Sequence, residues 1–381
     1  MTALLSVATD GTHGNADSFA PELSADGSTV AFVSLATNLA APEPAQVASV
    51  FVRDPRTGRT ERVSDGVDGA ADGDSRNPSL SGDGLVVAFE SAASNLVGGD
   101  TNGTSDVFDH DRVSGRTTRV SVDSGGAQGN EGSFTPSISA DGRYVAFASE
   151  ATGLVPGDHN RAEDVFVHDG QTGRTVLVSV ASHGHPSARG SFAPCLSADG
   201  RTVAFVTDGP LVADDTNNSE DVYVADLATG GLRRVSVASD GTEGDGPSLG
   251  PALSGDGTAV AFASEATNLV RGDTNGATDI FVHDRETGRT TRVTVASDGT
   301  QVNGDSFTPS ISGDGRFVAF TTDAGNVVAG DDNRASDVFV HDGQTGRTVL
   351  VSVASHGHPS ARGSFAPCLS ADGRTVAFVT D

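Results

Sequence analysis

A block reading Pro-x-Leu/Ile-Ser-x-Asp-Gly constrains the fold of this chain more than any other feature. It begins at Pro21, Pro78, Pro136, Pro194, Pro251, Pro309 and Pro367, in steps of 57 or 58 residues. A fixed period of that size marks an array of like supersecondary units, each stacking on its neighbours. No linker or compositional break interrupts it, so residues 1–381 read as a single domain.

Each unit carries four strand signals. Strand A is the Pro-containing segment, as in Pro136-Ser137-Ile138-Ser139, and it turns through Asp141-Gly142. Glycine there supplies the positive φ that tight hairpin turns need. Strand B is VAFAS (145–149). After about a dozen residues comes strand C, DVFVHD at 164–169, with counterparts at 106–111, 279–284 and 337–342. A Thr-Gly-Arg turn then leads to strand D, expected over stretches such as TRVSV (118–122). B and C are apolar at successive positions and should be buried on both faces. D alternates polar with Val, as a half-exposed outer strand does. No stretch has helical periodicity. An all-β fold of four-stranded antiparallel blades follows, a β-propeller.

Seven A–B hairpins accompany only six C–D hairpins, the last ending at residue 352. The N-terminal Ala3-Leu4-Leu5-Ser6-Val7 matches strand D. The expected ring therefore has seven blades, the last incomplete and closed by the N-terminal strand. A six-bladed ring is the alternative, and it would leave the last hairpin outside with apolar faces wet.

The blade signature PxLSxDGRxVAFxS…DVFVHDxxTGRTxRVSV resembles the WD40-like (PD40) β-propeller repeats related to the TolB propeller. The resemblance covers nearly the whole chain. It implies a propeller, often one of a cell-envelope or extracellular protein, and says little about activity, because such blades serve many roles.

The best candidate site is the B–C loop. Five units carry Asp-x-Asn with a further Asp four residues on: Asp100/Asn102/Asp106, Asp158/Asn160/Asp164, Asp215/Asn217/Asp221, Asp273/Asn275/Asp279 and Asp331/Asn333/Asp337. Alternating oxygen-bearing side chains closed by a carboxylate are the raw material of a Ca²⁺ loop, here without the distal bidentate Glu. The competing reading is that Asp and Asn form side-chain-to-backbone turns. The first unit, PEPAQVAS (42–49), lacks the pattern.

Other motifs read as structure. Gly246-Pro247-Ser248-Leu249-Gly250 matches G-x-S-x-G, but Ser248 is the repeat's own serine and lacks the strand–turn–helix setting of a nucleophile elbow. His183-Gly184-His185 and His356-Gly357-His358 have no third metal ligand in view. The histidines ending strand C (His110, His168, His283, His341) are Arg53 and Ala225 in other units. Asp26, Asp83, Asp141, Asp199, Asp256, Asp314 and Asp372 recur in all seven units and read as turn formers. Cys195 and Cys368, three units apart, are not expected to pair.

A net charge of −27, with 24 basic residues that are all Arg, argues against nucleic acid as a partner. No apolar run reaches the roughly 18 residues of a membrane span, and MTALLSVATDGTHGN has no basic and apolar leader pattern. The leading expectation is a non-enzymatic binding scaffold for a protein, peptide or glycan ligand on a loop face, with Ca²⁺ as a possible stabiliser. The alternatives are a module or remnant of a larger secreted or cell-envelope protein, and a propeller hydrolase or lyase with a central-channel site. Residues 164–208 recur letter for letter at 337–381. Unaltered loops across that copy point to recent duplication, gene conversion or an assembly error rather than to a newly selected site.

Overall fold

The structure is a computed structural model that describes residues 2–40, 47–181, 184–331, 333–353, 360 and 362–381. It is all-β, with six four-stranded antiparallel sheets in simple A-B-C-D order. The third blade is representative: Ser133–Ile138, Tyr144–Ser149, Asp164–Asp169 and Arg174–Leu177. B and C are buried except at Tyr144 and Asp169, and Phe147 of one stacks on Phe166 of the other with centroids 5.8 Å apart. The same pair recurs in every four-stranded blade, from Phe32–Phe51 to Phe320–Phe339. Apolar side chains of one blade meet those of the next, so the core is a chain of clusters at blade interfaces. One holds Ala204 and Val206 of the fourth blade with Val260 and Phe262 of the fifth.

Six four-stranded blades, not seven, form the propeller. The seventh repeat gives only a two-stranded hairpin, Ser364–Leu369 with Val376–Thr380. Nor is that hairpin stranded outside. Its turn sits between the sixth and first blades: Gly313 N donates to Ala371 O at 2.8 Å, and Ala371 N to Ala25 O at 2.9 Å. These bonds complete a circle running through Ala25, Gly82, Ala140, Ala198, Gly255 and Gly313, each amide bonding the carbonyl in the next repeat. The Asp-Gly turn glycines reinforce it, each tucked against the strand B entry of the preceding repeat. A Cβ on Gly200 (φ +68°) would lie 2.4 Å from the Tyr144 ring.

The N-terminal strand expected to close the last blade does not form. Residues 3–5 have no strand pairing, while Val7 bridges His13 and Leu5 packs on Leu23, Val30, Cys368 and Ala377. Strand D bonds to strand C in every blade, and no strand C lies along Val376–Thr380 among the described residues. Strand D also sits earlier than the sequence suggested, at Arg116–Arg119 rather than 118–122. Past Arg119 the regular ladder ends, with the amides of Val120 and Ser121 both donating to Val107 O, at 2.8 and 3.3 Å.

Candidate functional site

Five of the six complete blades are held by a polar lock at the head of strand C; the first has Ser49 in that place. Asp106, Asp164, Asp221, Asp279 and Asp337 are fully buried. Asp106 and Asp164 accept hydrogen bonds from Ser121 and Ser179 at 2.6 Å, and Ser236, Thr294 and Ser352 serve the other three. The same Ser121 oxygen accepts the amide of Val107 at 3.1 Å, and Ser179 that of Val165. One hydroxyl just past strand D thus binds the carboxylate and backbone that open strand C.

The loop asparagines complete the lock. Asn102, Asn160, Asn217, Asn275 and Asn333 each accept the amide two residues on, the geometry of an Asx turn. Each also donates to the buried Asp four residues on and to a carbonyl of the D–A loop; Asn217, for example, reaches Asp221 at 3.0 Å and Gly244 O at 3.0 Å. The Asp-x-Asn pattern therefore ties the two loops of one face together.

Charge balance separates these five loops. Arg119, Arg234 and Arg292, at the ends of their D strands, reach both loop aspartates. Arg119 lies 3.2 Å from Asp100 and 3.4 Å from Asp106, Arg234 3.5 Å from Asp215 and 3.6 Å from Asp221, and Arg292 3.5 Å from Asp273 and 3.6 Å from Asp279. Gln128 and Gln301 add bonds to Asp100 and Asp273, both at 2.9 Å. In the fourth blade Asp215, Asp221 and Glu243 bring carboxylate oxygens within 4.8 Å of one another, but Arg234 sits among them, 2.5 Å from Glu243. The third and sixth blades have Leu177 and Leu350 in the arginine's place. Burial raises Asp106, Asp158 and Asp273, and pushes Asp164 and Asp221 up to about 6, the latter even beside Arg234.

The central channel opens on a mouth lined by Pro21, Pro78, Pro136, Pro194 and Pro251. Before each of these, and before Pro309 and Pro367, the chain takes a positive φ, from 46° at Thr135 to 59° at Gly250. A residue before proline prefers extended backbone, so the arrangement is strained; it coincides with a bulge in every A strand. No sequence signal beyond the recurring proline marked this bulge. Just before each bulge stand Phe19, Arg76, Phe134, Phe192, Leu249, Phe307 and Phe365. Leu249 and Phe307 are both 43% exposed.

Chemistry in the channel is sparse. Ser79, Ser137 and Ser310 accept backbone amides of the next repeat at 2.9–3.1 Å, as do the thiols of Cys195 and Cys368 at 3.4 and 3.3 Å. Burial pushes the Cys195 thiol up to about 11 and raises Cys368 too, so neither is a thiolate nucleophile, and both are free. Glu22 is the only ionisable residue among the described ones lining the mouth. Burial raises it to about 7, and Cys368 Sγ donates to it at 3.2 Å.

The remaining motifs take structural places. Ser248 is fully buried and donates to Ser264 at 2.9 Å. His110, His168, His283 and His341 bond Thr hydroxyls of strand D at 2.9–3.0 Å through Nδ1. The Asp-Gly aspartates accept from their own turn, as Asp141 does from Ser139 Oγ and Arg143 N. His183, His356 and His358 lie outside the described residues.

No protein-family model and no curated protein matches the sequence. Solved structures do share the fold. The β-propeller domain of the Trilobed protease from Pyrococcus furiosus aligns with 97% of this chain and 91% of that one, at TM-score 0.59 and 11% identity. An oligogalacturonate lyase from Vibrio parahaemolyticus aligns with 95% and 86%, at 0.56 and 12%. TolB from Acinetobacter baumannii aligns with 73% of this chain and 54% of its own, about half its length, at 0.44 and 19%. At these identities the likeness is one of fold.

Proposed function

We propose that this chain is a non-catalytic binding scaffold that holds a protein, peptide or glycan ligand over the proline-lined mouth. The observation that carries the reading is the belt of Phe19, Phe134, Phe192, Leu249, Phe307 and Phe365, interrupted by Arg76, beside a mouth where Glu22 is the one ionisable lining residue among those described. Half-exposed aromatic and aliphatic side chains on a rigid frame are suited to peptide or sugar faces, and they lose little entropy on binding. The loops behind them are pre-ordered by the Asx turns and the Asp–Ser locks, which lowers the cost of association. A hydrolase needs a nucleophile within reach of a base, or two acids flanking a bond. The serines and thiols near the channel are instead bonded to backbone, and Glu22 has no second carboxylate among the mouth residues. The net charge of −27 favours a neutral or cationic ligand over an anionic one. Among the described residues, no helix is long and apolar enough to cross a membrane.

The test is a binding screen of the full chain on peptide and glycan arrays, repeated with the Leu249→Ala/Phe307→Ala double variant. The reading expects a ligand whose binding falls at least tenfold in the variant. Turnover of an oligosaccharide or peptide substrate that Glu22→Gln abolishes would replace the scaffold with an enzyme.

A further inference from the structure

The third blade keeps the acidic pair of its sister loops and has lost the cation. Strand D pairs with strand C in one register throughout. Arg119 faces Phe108, Arg234 faces Tyr223, Arg292 faces Phe281, and Leu177 faces Phe166. A leucine therefore stands where three other blades place a guanidinium between two aspartates. The helper supplied by the D–A loop is missing too, since Pro186 takes the place of Gln128, Glu243 and Gln301 in the loop bridge to Val180.

Asp158 and Asp164 nevertheless remain, 2% and 0% exposed. Asp164 Oδ1 is satisfied by Ser179 at 2.6 Å, and Oδ2 accepts from Asn160 at 2.5 Å. Asp158 Oδ1 is buried without a hydrogen-bond partner. Glu163 adds another carboxyl beside Asp164. A buried, unpaired carboxylate is costly unless a counter-charge reaches it, and here the chain supplies none in the place where its sisters do.

We propose that a divalent cation, best matched by Ca²⁺, replaces the guanidinium in this loop, held by the free Oδ1 of Asp158 together with Asp164. The ligands are hard oxygens at irregular loop positions, a setting that suits the adaptable shell of Ca²⁺ better than the strict octahedron of Mg²⁺, with main-chain carbonyls and water completing the shell. The site is independent of the binding face proposed above: ligand capture can fail while the cation binds, and the reverse.

The experiment is calorimetric titration of the chelator-stripped full chain with CaCl₂ to about 10 mM, beyond the weak end of known loop sites. Wild type is compared with Leu177→Arg and Asp158→Asn. Leu177→Arg installs the side chain that three sister blades already carry, so it is expected to fold; a melting curve confirms this. Each variant should bind one Ca²⁺ equivalent fewer than wild type. Absence of binding by wild type, or equal stoichiometry in wild type and Leu177→Arg, overturns the proposal.

Discussion

Replacing Arg234 with Leu gives the fourth blade the polarity that the third and sixth already have, and it tests the charge argument directly. The guanidinium is 4% exposed, and its partners Asp215, Asp221 and Glu243 are 5%, 0% and 18% exposed. Breaking a buried ion pair from one side costs about 3–5 kcal/mol, because the other side is left charged and dry. A proton offers a partial escape. Asp221 lies near 6 even with Arg234 beside it to lower it, so once the guanidinium is gone, holding it protonated at pH 7.5 costs at most about 2 kcal/mol at 1.36 kcal/mol per pH unit. The loss should settle at about 2–4 kcal/mol. A chain of 381 residues has an unfolding entropy of about 0.8 kcal/mol per degree, so Tm falls by roughly 3–5 °C. The sign with pH is fixed: Asp221 is raised above its unfolded value, and its proton becomes free as pH falls below about 6. The gap between variant and wild type should therefore close towards pH 5. Paired melts in chelator at pH 7.5 and pH 5 read both effects. Coincident melts at pH 7.5, or a gap that widens in acid, would refute the reasoning.

Other outcomes follow from the same geometry. Without Arg234, the three carboxylates that lie within 4.8 Å of one another become a Ca²⁺ cage, so millimolar Ca²⁺ should restore part of the Arg234→Leu loss; melts with and without the ion decide it. Phe166→Ala removes a ring that is fully buried and stacked at 5.8 Å, which should cost about 3–5 kcal/mol and lower Tm by roughly 4–6 °C. Gly200→Ala forces a Cβ to 2.4 Å from Tyr144 at positive φ and should cost about 1–3 kcal/mol, read by denaturant unfolding. Glu22 is raised from 4.5 to about 7 by burial, so the fold favours its protonated form and loses stability as pH climbs between those values. Glu22→Gln should melt above wild type at pH 8 and level with it at pH 4; a variant that is no more stable at pH 8 contradicts the buried-acid reading.

Much of the fold was legible because it is local and repeated. Alternation, the Asp-Gly turn and two-sided apolar strands each specify a hairpin without reference to distant residues, and the 57–58 residue period stacks hairpins into blades. The loop motif was legible as a motif but not in its balance of charge. Asp-x-Asn announces a turn, whereas the arginine that neutralises it arrives from strand D, 19 residues after Asp100 and Asp215 alike. The 58-residue period sets Leu177 against Arg119, but only the contacts show that this place lies between two loop aspartates. The bulge that puts Thr135 or Ala193 at positive φ was invisible, since it runs against the preference of any residue before proline.

The copied segment draws the boundary between the two. SFAPCLSADGRTVAFVT stands at 191–207 and again at 364–380, and the sequence makes both an A–B hairpin turning at Asp-Gly. Tertiary structure gives them different lives. In the fourth blade Phe205 is fully buried against Tyr223, centroids 6.2 Å apart, because strand C covers it. Phe378, the same residue of the second copy, is half-buried, with no strand C beside it among the described residues. Cys195 accepts an amide from Leu253, while Cys368 accepts one from Leu23 and donates to Glu22, which belongs to a neighbour that no other repeat has. Local sequence sets the hairpin because backbone and turn preferences act over a few residues. Burial, charge balance and the chemistry of each side chain are set by whatever the ring places against it.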